Sequence, residues 1–112
     1  MFTLAKDVPV NFIGEKKEMS SQLLSYNDDL MVCKMSGKAG TVFKEHSHPQ
    51  SQITYVISGR MESTVGGETQ ILGPGDSVLM PPDVPHSSYN IEDTEYLDIF
   101  SPARSDILSH RS

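Results

Sequence analysis

The chain has 112 residues, of which 37% are hydrophobic and 21% are charged. This length and balance predict one folded domain, residues 1–112, and exclude an extended disordered chain. Nine Lys and Arg residues stand against fifteen Asp and Glu residues, a formal charge of −6, which argues against nucleic acid or an anionic membrane surface as a partner.

Cysteine usage and hydropathy indicate the compartment. Cys33 is the only cysteine, so no internal disulfide can form, which is typical of a reducing environment. The first twenty residues contain no sustained apolar stretch of the signal-peptide kind, and no apolar run is long enough to cross a bilayer. We therefore expect a cytoplasmic protein.

Turn-forming residues recur at short intervals, and segments with strand character lie between them. Gly66 and Gly67 are typical of a two-residue β-hairpin turn. After the last strand, a single helical turn is expected with Ser105 as its N-cap. Many short strands without a longer helix predict an all-β sandwich or barrel. The predicted strands cover residues 30–35, 53–57, 61–65, 69–72, 77–79 and 96–100.

The first segment with chemical potential covers residues 40–59. His46 and His48 are two residues apart and are followed by Gln52. On a continuous strand all three side chains would point to one face. Gly40 and Gly59 flank the segment as turns flank a hairpin. A His-x-His pair alone is more often a surface or core feature than a pair of metal ligands, so its weight depends on what accompanies it.

The accompanying residues lie in a second segment, residues 75–90. It contains Gly75, Pro81, His86 and Asn90. Together the two segments resemble the two sequence motifs of the cupin superfamily, G-x5-H-x-H-x3-E-x6-G and G-x5-P-x-G-x2-H-x3-N. Jointly they use three of the four histidines in the chain, which a chance match would rarely do.

The resemblance implies a fold and a metal site. The expected fold is a single cupin domain, a double-stranded β-helix or jelly-roll barrel. Two positions depart from the motifs: Asp83 replaces a glycine at a turn position that Asp tolerates, and Gln52 replaces a glutamate. The implied ligands of one divalent ion are His46, His48, Gln52 and His86.

The neutral side chain of Gln52 affects the chemistry of such an ion. Three imidazoles and an amide leave the full +2 charge on the metal, whereas a glutamate would reduce it to +1. A site without an anionic ligand stabilises Fe(III) or Mn(III) poorly, which disfavours oxidase and dioxygenase chemistry, and it is the stronger Lewis acid. The ligands suit Ni, Zn, Fe, Mn or Co, among which the sequence does not distinguish.

The strand at residues 96–100 carries the remaining candidate residues. Period-two alternation places Tyr96, Asp98 and Phe100 on one face of this strand. If that face lines the barrel, Asp98 is a carboxylate near the ion but outside its ligand set, and therefore a candidate acid or base. Arg104 follows and could close the mouth of the pocket. The alternative is a surface pair of Asp98 with Arg104, with Phe100 as ordinary core.

The run D-x-F-S-P-x-R-x-D, together with a glutamine in the ligand set, is similar to the KdgF family of small bacterial cupins. That resemblance implies an isomerase-type enzyme of pectin or alginate degradation, which linearises 4,5-unsaturated monouronates to open-chain 5-keto-4-deoxyuronate without a redox cofactor. It also implies catalytic roles for Asp98, Arg104 and Phe100. Arg104 and Phe100, with Tyr96 on the same face, are the expected substrate-binding residues.

Two other functions remain open at this point. One is a metal-dependent dioxygenase or isomerase acting on another small polar substrate. The other is a cupin that binds a sugar without turnover. By analogy with small cupins, which usually pair through their sheets, we expect a homodimer.

Overall fold

Two antiparallel sheets enclose a lumen in the computed structural model, which describes residues 1–109. Within that part of the chain, ten strands and two short helical segments are present. The all-β prediction is confirmed. One helical segment is a 3-10 turn, Ala5–Asp7, and the other is α1, Ser105–Ser109. The predicted helical turn exists, but it begins at Ser105, so this residue lies inside its first turn rather than before it.

The larger sheet has six strands in the order β1-β2-β3-β10-β5-β8. Its two longest central pairings join β10 to β3 and to β5. The strands are β1 (Asn11–Ile13), β2 (Met19–Tyr26), β3 (Met31–Gly37), β5 (Ser51–Ser58), β8 (Ser77–Met80) and β10 (Thr94–Ser101).

The smaller sheet has four strands in the order β4-β9-β6-β7. Its β6–β7 hairpin turns at Gly66 and Gly67, whose φ angles of 56° and 83° are those of the predicted two-residue turn. Asp83 has a φ of 64°, which explains why the cupin motif has glycine at this position. The strands are β4 (Val42–His46), β6 (Met61–Val65), β7 (Glu68–Leu72) and β9 (His86–Asn90).

One local expectation is wrong. The first motif does not form a continuous strand or a hairpin, because β4 ends at His46 and lies in the smaller sheet, while β5 lies in the larger one. His48 lies in the connection between them, beside Pro49, which cannot donate a ladder hydrogen bond. The first-motif histidines and Gln52 therefore come from a strand end, a loop and a second sheet, and converge across the lumen.

Side chains that face the lumen are stacked in three layers, because directly paired residues of antiparallel strands point to the same side. The ligand layer contains Gln52, Phe100 and Met80 from the larger sheet and His46 and His86 from the smaller sheet. The middle layer contains Thr54, Asp98 and Cys33 opposite Phe43, Ser63 and Ser88. The floor contains Val56, Tyr96 and Met35 opposite Met61, Leu72 and Asn90.

The floor continues into the hydrophobic core. Buried methionines are unusually frequent there, and their flexible side chains fill the space between two twisted sheets. Phe100 and Tyr96, each 3% exposed, connect the core to the layers above it. The buried cluster comprises Met19, Leu23, Met31, Cys33, Met35, Val56, Met61, Leu72, Tyr96 and Phe100.

The outer face of the larger sheet is also apolar. Ile53, Tyr55 and Ile57 of β5 and Leu79 of β8 are 41–59% exposed. The homodimer expected from the sequence stays a prediction, and this face is where a second copy would bury apolar surface. Among residues 1–109, no helix has the length and hydropathy needed to cross a membrane.

Candidate metal centre

Three histidine side chains meet at the open end of the lumen. His46, His48 and His86 each offer one ring nitrogen, and these atoms all lie within 4.8 Å of one another. The rings of His46 and His86 are 4.3 Å apart between centroids and are packed edge to face. His48 and His86 are buried, whereas His46 is exposed at the rim. The two motif segments, distant in sequence, are thus brought together as predicted.

Backbone carbonyls fix the tautomer of all three rings. The Nδ1 atoms of His46, His48 and His86 lie 2.9, 3.1 and 3.0 Å from the carbonyl oxygens of Lys44, Gln50 and Val84 respectively. A carbonyl only accepts, so each Nδ1 carries a proton, and in a neutral ring Nε2 then keeps its lone pair. This arrangement orients metal-binding histidines in proteins generally.

The free lone pair on His86 is the clearest sign that the group fits a metal. Its Nε2 is buried and has no hydrogen-bond partner within residues 1–109, and an unpaired buried acceptor is costly. Burial lowers the pKa of His86, and the nearby His46 and His48 lower it further, although the hydrogen bond to Val84 opposes the shift. A neutral imidazole is the form that binds a metal.

Gln52 places its amide oxygen beside these histidines. Its Oε1 lies 2.9 Å from Nε2 of His48. Its Nε2 donates to Oγ1 of Thr54 and to Oδ1 of Asp98, both at 3.1 Å. Because these two acceptors hold the NH2 group, the amide cannot flip, and its oxygen stays on the side of the histidines.

Asp98 lies in the middle layer, directly below Gln52. Besides the Gln52 bond, its Oδ1 accepts a hydrogen bond of 2.7 Å from Thr54. Burial raises the pKa of Asp98 from 3.8 to about 6, although the hydrogen bonds from Thr54 and Gln52 and the positive charge of Arg104 lower it. A carboxyl group with a pKa near neutrality can both take up and release a proton.

In the metal-free protein, the variant Asp98→Asn should gain stability relative to the parent as the pH rises from about 4 to about 7. A carboxyl whose folded-state pKa is raised contributes stability fully below its unfolded pKa of 3.8, and that contribution is lost as the pH rises through about 6. The shift corresponds to up to about 3 kcal/mol in the free energy of unfolding. Urea titrations of both proteins in chelator at several pH values measure the difference, and a constant difference would contradict the burial of this charge.

Arg104 lies beside the lumen but does not pair with Asp98. Its Nε and Nη2 atoms donate to the two carboxylate oxygens of Asp106, at 3.2 and 2.7 Å. Its guanidinium carbon lies 5.2 Å from the ring centre of Phe100, a cation–π contact. The surface pair of Asp98 with Arg104 is therefore wrong as an alternative. Asp106 holds one edge of the guanidinium, so a ligand carboxylate would meet its other edge.

Most of these groups line one cavity of about 260 Å³, whereas His48 and Asp106 lie behind its lining. Its upper part is polar, with two of the histidines, Gln52 and Asp98, and its lower part is apolar, with Met35, Met61 and Tyr96. Phe100 contributes to both the cavity and the core, and its ring stands 5.7 Å from that of His48, edge to face. Burial raises the pKa of Tyr96 well above its usual value, and the carboxylate of Asp98 adds to this effect.

Sequence reasoning assigned no role to Thr54, Ser63 or Asp106, although all three contribute to the site. Thr54 could have been found, because it follows Gln52 by two residues on a strand and so shares its face. Asp106 closes the D-x-F-S-P-x-R-x-D run but carried no assignment of its own. Ser63 gives no signal in the sequence, because its position depends on which strands pair.

Comparison with known proteins agrees with this geometry. A family model described as a cupin domain matches residues 34–100. The pectin degradation protein KdgF of Dickeya dadantii (strain 3937) is 33% identical over 89 residues, which cover 78% of this chain and 81% of that protein.

Solved structures of similar proteins share the whole fold. KdgF from a Halomonas species superimposes with a TM-score of 0.89 at 28% identity, covering 96% of this chain and 97% of that one. An RmlC-like cupin from Shewanella frigidimarina NCIMB 400 gives a TM-score of 0.89 at 32% identity, covering 95% and 94% of the two chains. The expected double-stranded β-helix is therefore confirmed along nearly the entire chain.

Proposed function

The chain belongs to the cupin family and is a relative of KdgF proteins, and on that premise we propose that it linearises 4,5-unsaturated monouronates. The single observation that carries this proposal is the 3.1 Å hydrogen bond from Gln52 to Asp98. It joins a neutral metal-ligand set directly to a carboxyl group whose pKa is raised to about 6. Such a pair suits proton transfer without oxidation.

The reaction itself is an isomerisation. The substrate is a cyclic hemiacetal whose ring oxygen is attached to C5 of a C4=C5 double bond. Loss of the C1 hydroxyl proton forms the C1 aldehyde and breaks the bond between C1 and the ring oxygen, which leaves as an enolate at C5. Protonation at C4 then gives the C5 ketone, 5-keto-4-deoxyuronate. One proton leaves and one returns, so atoms and electrons balance.

His46, His48, Gln52 and His86 would hold the ion, which when bound would act as a Lewis acid toward the oxygen that gains negative charge. In this proposal Asp98 takes the C1 hydroxyl proton and delivers a proton to C4. The hydrogen bonds from Thr54 and Gln52 fix the carboxylate in place for both transfers.

Arg104 would hold the substrate carboxylate, and Phe100 and Tyr96 would contact the sugar ring. Arg104, oriented by Asp106 and by the face of Phe100, presents its other guanidinium edge to a carboxylate. Phe100 and Tyr96 supply an apolar surface against which the sugar ring can lie. The same grip serves uronates from pectin and from alginate, since both lyase products carry the C5 carboxylate.

Ultraviolet absorbance tests the proposal. The metal-loaded protein should accelerate the loss of the conjugated C4=C5 absorbance of a lyase-generated unsaturated monouronate, under anaerobic conditions and without a nicotinamide. Denatured protein with the same metal is the control. Decay no faster than in the control would refute linearisation, and calorimetric binding of the uronate in that case would favour the sugar-binding alternative.

A further inference from the structure

Ser63 carries a buried hydroxyl group that the protein leaves unsatisfied. The residue is 4% exposed, and its Oγ has no hydrogen-bond partner within residues 1–109. The other buried Ser or Thr hydroxyl groups of that part of the chain belong to Thr54 and Thr94, and both donate hydrogen bonds to protein oxygens. Since an unpaired buried hydroxyl destabilises a fold, Ser63 differs from the two threonines in needing a hydrogen-bond partner from outside the chain.

Ser63 lines the same cavity as Asp98 and Thr54. Ser63 pairs directly with Ser88, two residues along the strands from the pairing of Val65 with His86. On the opposite sheet, Asp98 pairs with Thr54, two residues from the pairing of Phe100 with Gln52. The Ser63–Ser88 pair and the Asp98–Thr54 pair thus both lie one layer below the ligand layer, a distance of about 6.6 Å along the strands. They form opposite walls of the cavity.

The two walls differ in chemistry. Asp98 and Thr54 are engaged with each other and with Gln52. The wall with Ser63 has no charged group, and its neighbours Phe43 and Met61 are apolar. A serine hydroxyl both donates and accepts a hydrogen bond, so another hydroxyl can satisfy both of its roles.

We propose that Ser63, with Ser88 beside it, is a specificity-determining subsite that binds a secondary hydroxyl group of a sugar ring. The inference rests on the proposed function in so far as it takes the ring to be a uronate. A ring held between the two walls would present its reacting edge to Asp98 and a hydroxyl of its far edge to Ser63. An analogue with hydrogen at that carbon leaves Ser63 unpaired and is disfavoured.

Binding of an unreactive ring, galacturonate, tests the subsite separately from turnover. Calorimetry on metal-loaded protein should show that Ser63→Ala weakens galacturonate binding about tenfold, since one neutral hydrogen bond is lost. The 2-deoxy or the 3-deoxy analogue, whichever lacks the recognised hydroxyl, should bind parent and variant equally. Ser36→Ala, on the outward side of β3, is the matched control. A structural role alone would not produce this dependence on the ligand.

Thermal unfolding guards against a folding artefact. Ser63→Ala should unfold at the same temperature as the parent or higher, because it removes an unpaired polar group. The subsite would be overturned if parent and variant bound galacturonate with equal affinity. It would also be overturned if Ser63→Ala weakened the binding of both deoxy analogues equally. A parent that binds galacturonate with the predicted Ser63 dependence but lacks turnover would support the subsite and refute linearisation. A parent that binds no uronate would overturn both.

Discussion

Replacing Asp98 with alanine should lower kcat/KM for linearisation of an unsaturated monouronate by about 10²–10⁴-fold, the usual contribution of a positioned acid–base group. Metal content should change little, because the predicted ligands are His46, His48, Gln52 and His86. Gln52 would lose one of its two acceptors but keep Thr54, which lies 3.1 Å from its Nε2. Absorbance decay at known metal occupancy measures the effect.

The isosteric variant Asp98→Asn separates proton transfer from support of Gln52. Asparagine can still accept hydrogen bonds from Gln52 and Thr54 through its Oδ1 atom, but it cannot take up a proton near neutral pH. If Asp98 transfers protons, this variant should lose as much activity as Asp98→Ala. If Asp98→Asn keeps most of the parent's activity, the carboxylate only orients the amide, and the proposed role is wrong. Asp29→Asn, at an exposed turn, controls for loss of a negative charge.

Much of the fold could be predicted because strand period and turn chemistry are local properties. The alternation in residues 96–100 correctly placed Tyr96, Asp98 and Phe100 on the lumen side. The hairpin at Gly66 and Gly67 followed from two residues that readily adopt positive φ. Strands β1, β2, β4 and β9 were not predicted individually. Strand β1 has only three residues, all exposed, and in the other three strands polar residues mask the apolar face. In β4, for example, four of five residues are exposed.

The candidate site could be predicted only as far as residue type and spacing determine it. Histidines are rare enough in this chain that their spacing predicted which three of them meet. The crossing from β4 to β5 was not predictable, because it depends on which sheet each strand joins. Likewise, the partner of Arg104 depends on where the first turn of α1 lies, which brings Asp106 rather than Asp98 to the guanidinium.

The largest change in metal content should come from the double variant His46→Ala/His48→Ala. The parent protein should carry about one divalent ion per chain after purification, and the double variant should carry almost none, since only His86 and the weak amide ligand Gln52 remain. The parent should also gain about 2.7 kcal/mol in the free energy of unfolding when the metal is present at 100 times its Kd. The double variant should gain nothing.

Elemental analysis measures the metal content, and unfolding with and without chelator measures the stability that the metal adds. His110→Ala is the matched control, because it removes the fourth histidine, which belongs to neither motif and lies outside the described residues. It should leave metal content unchanged. Equal metal content in the parent and the double variant would refute the ligand assignment whatever the activity, since the three Nε2 atoms that face one another would then not be where the ion binds.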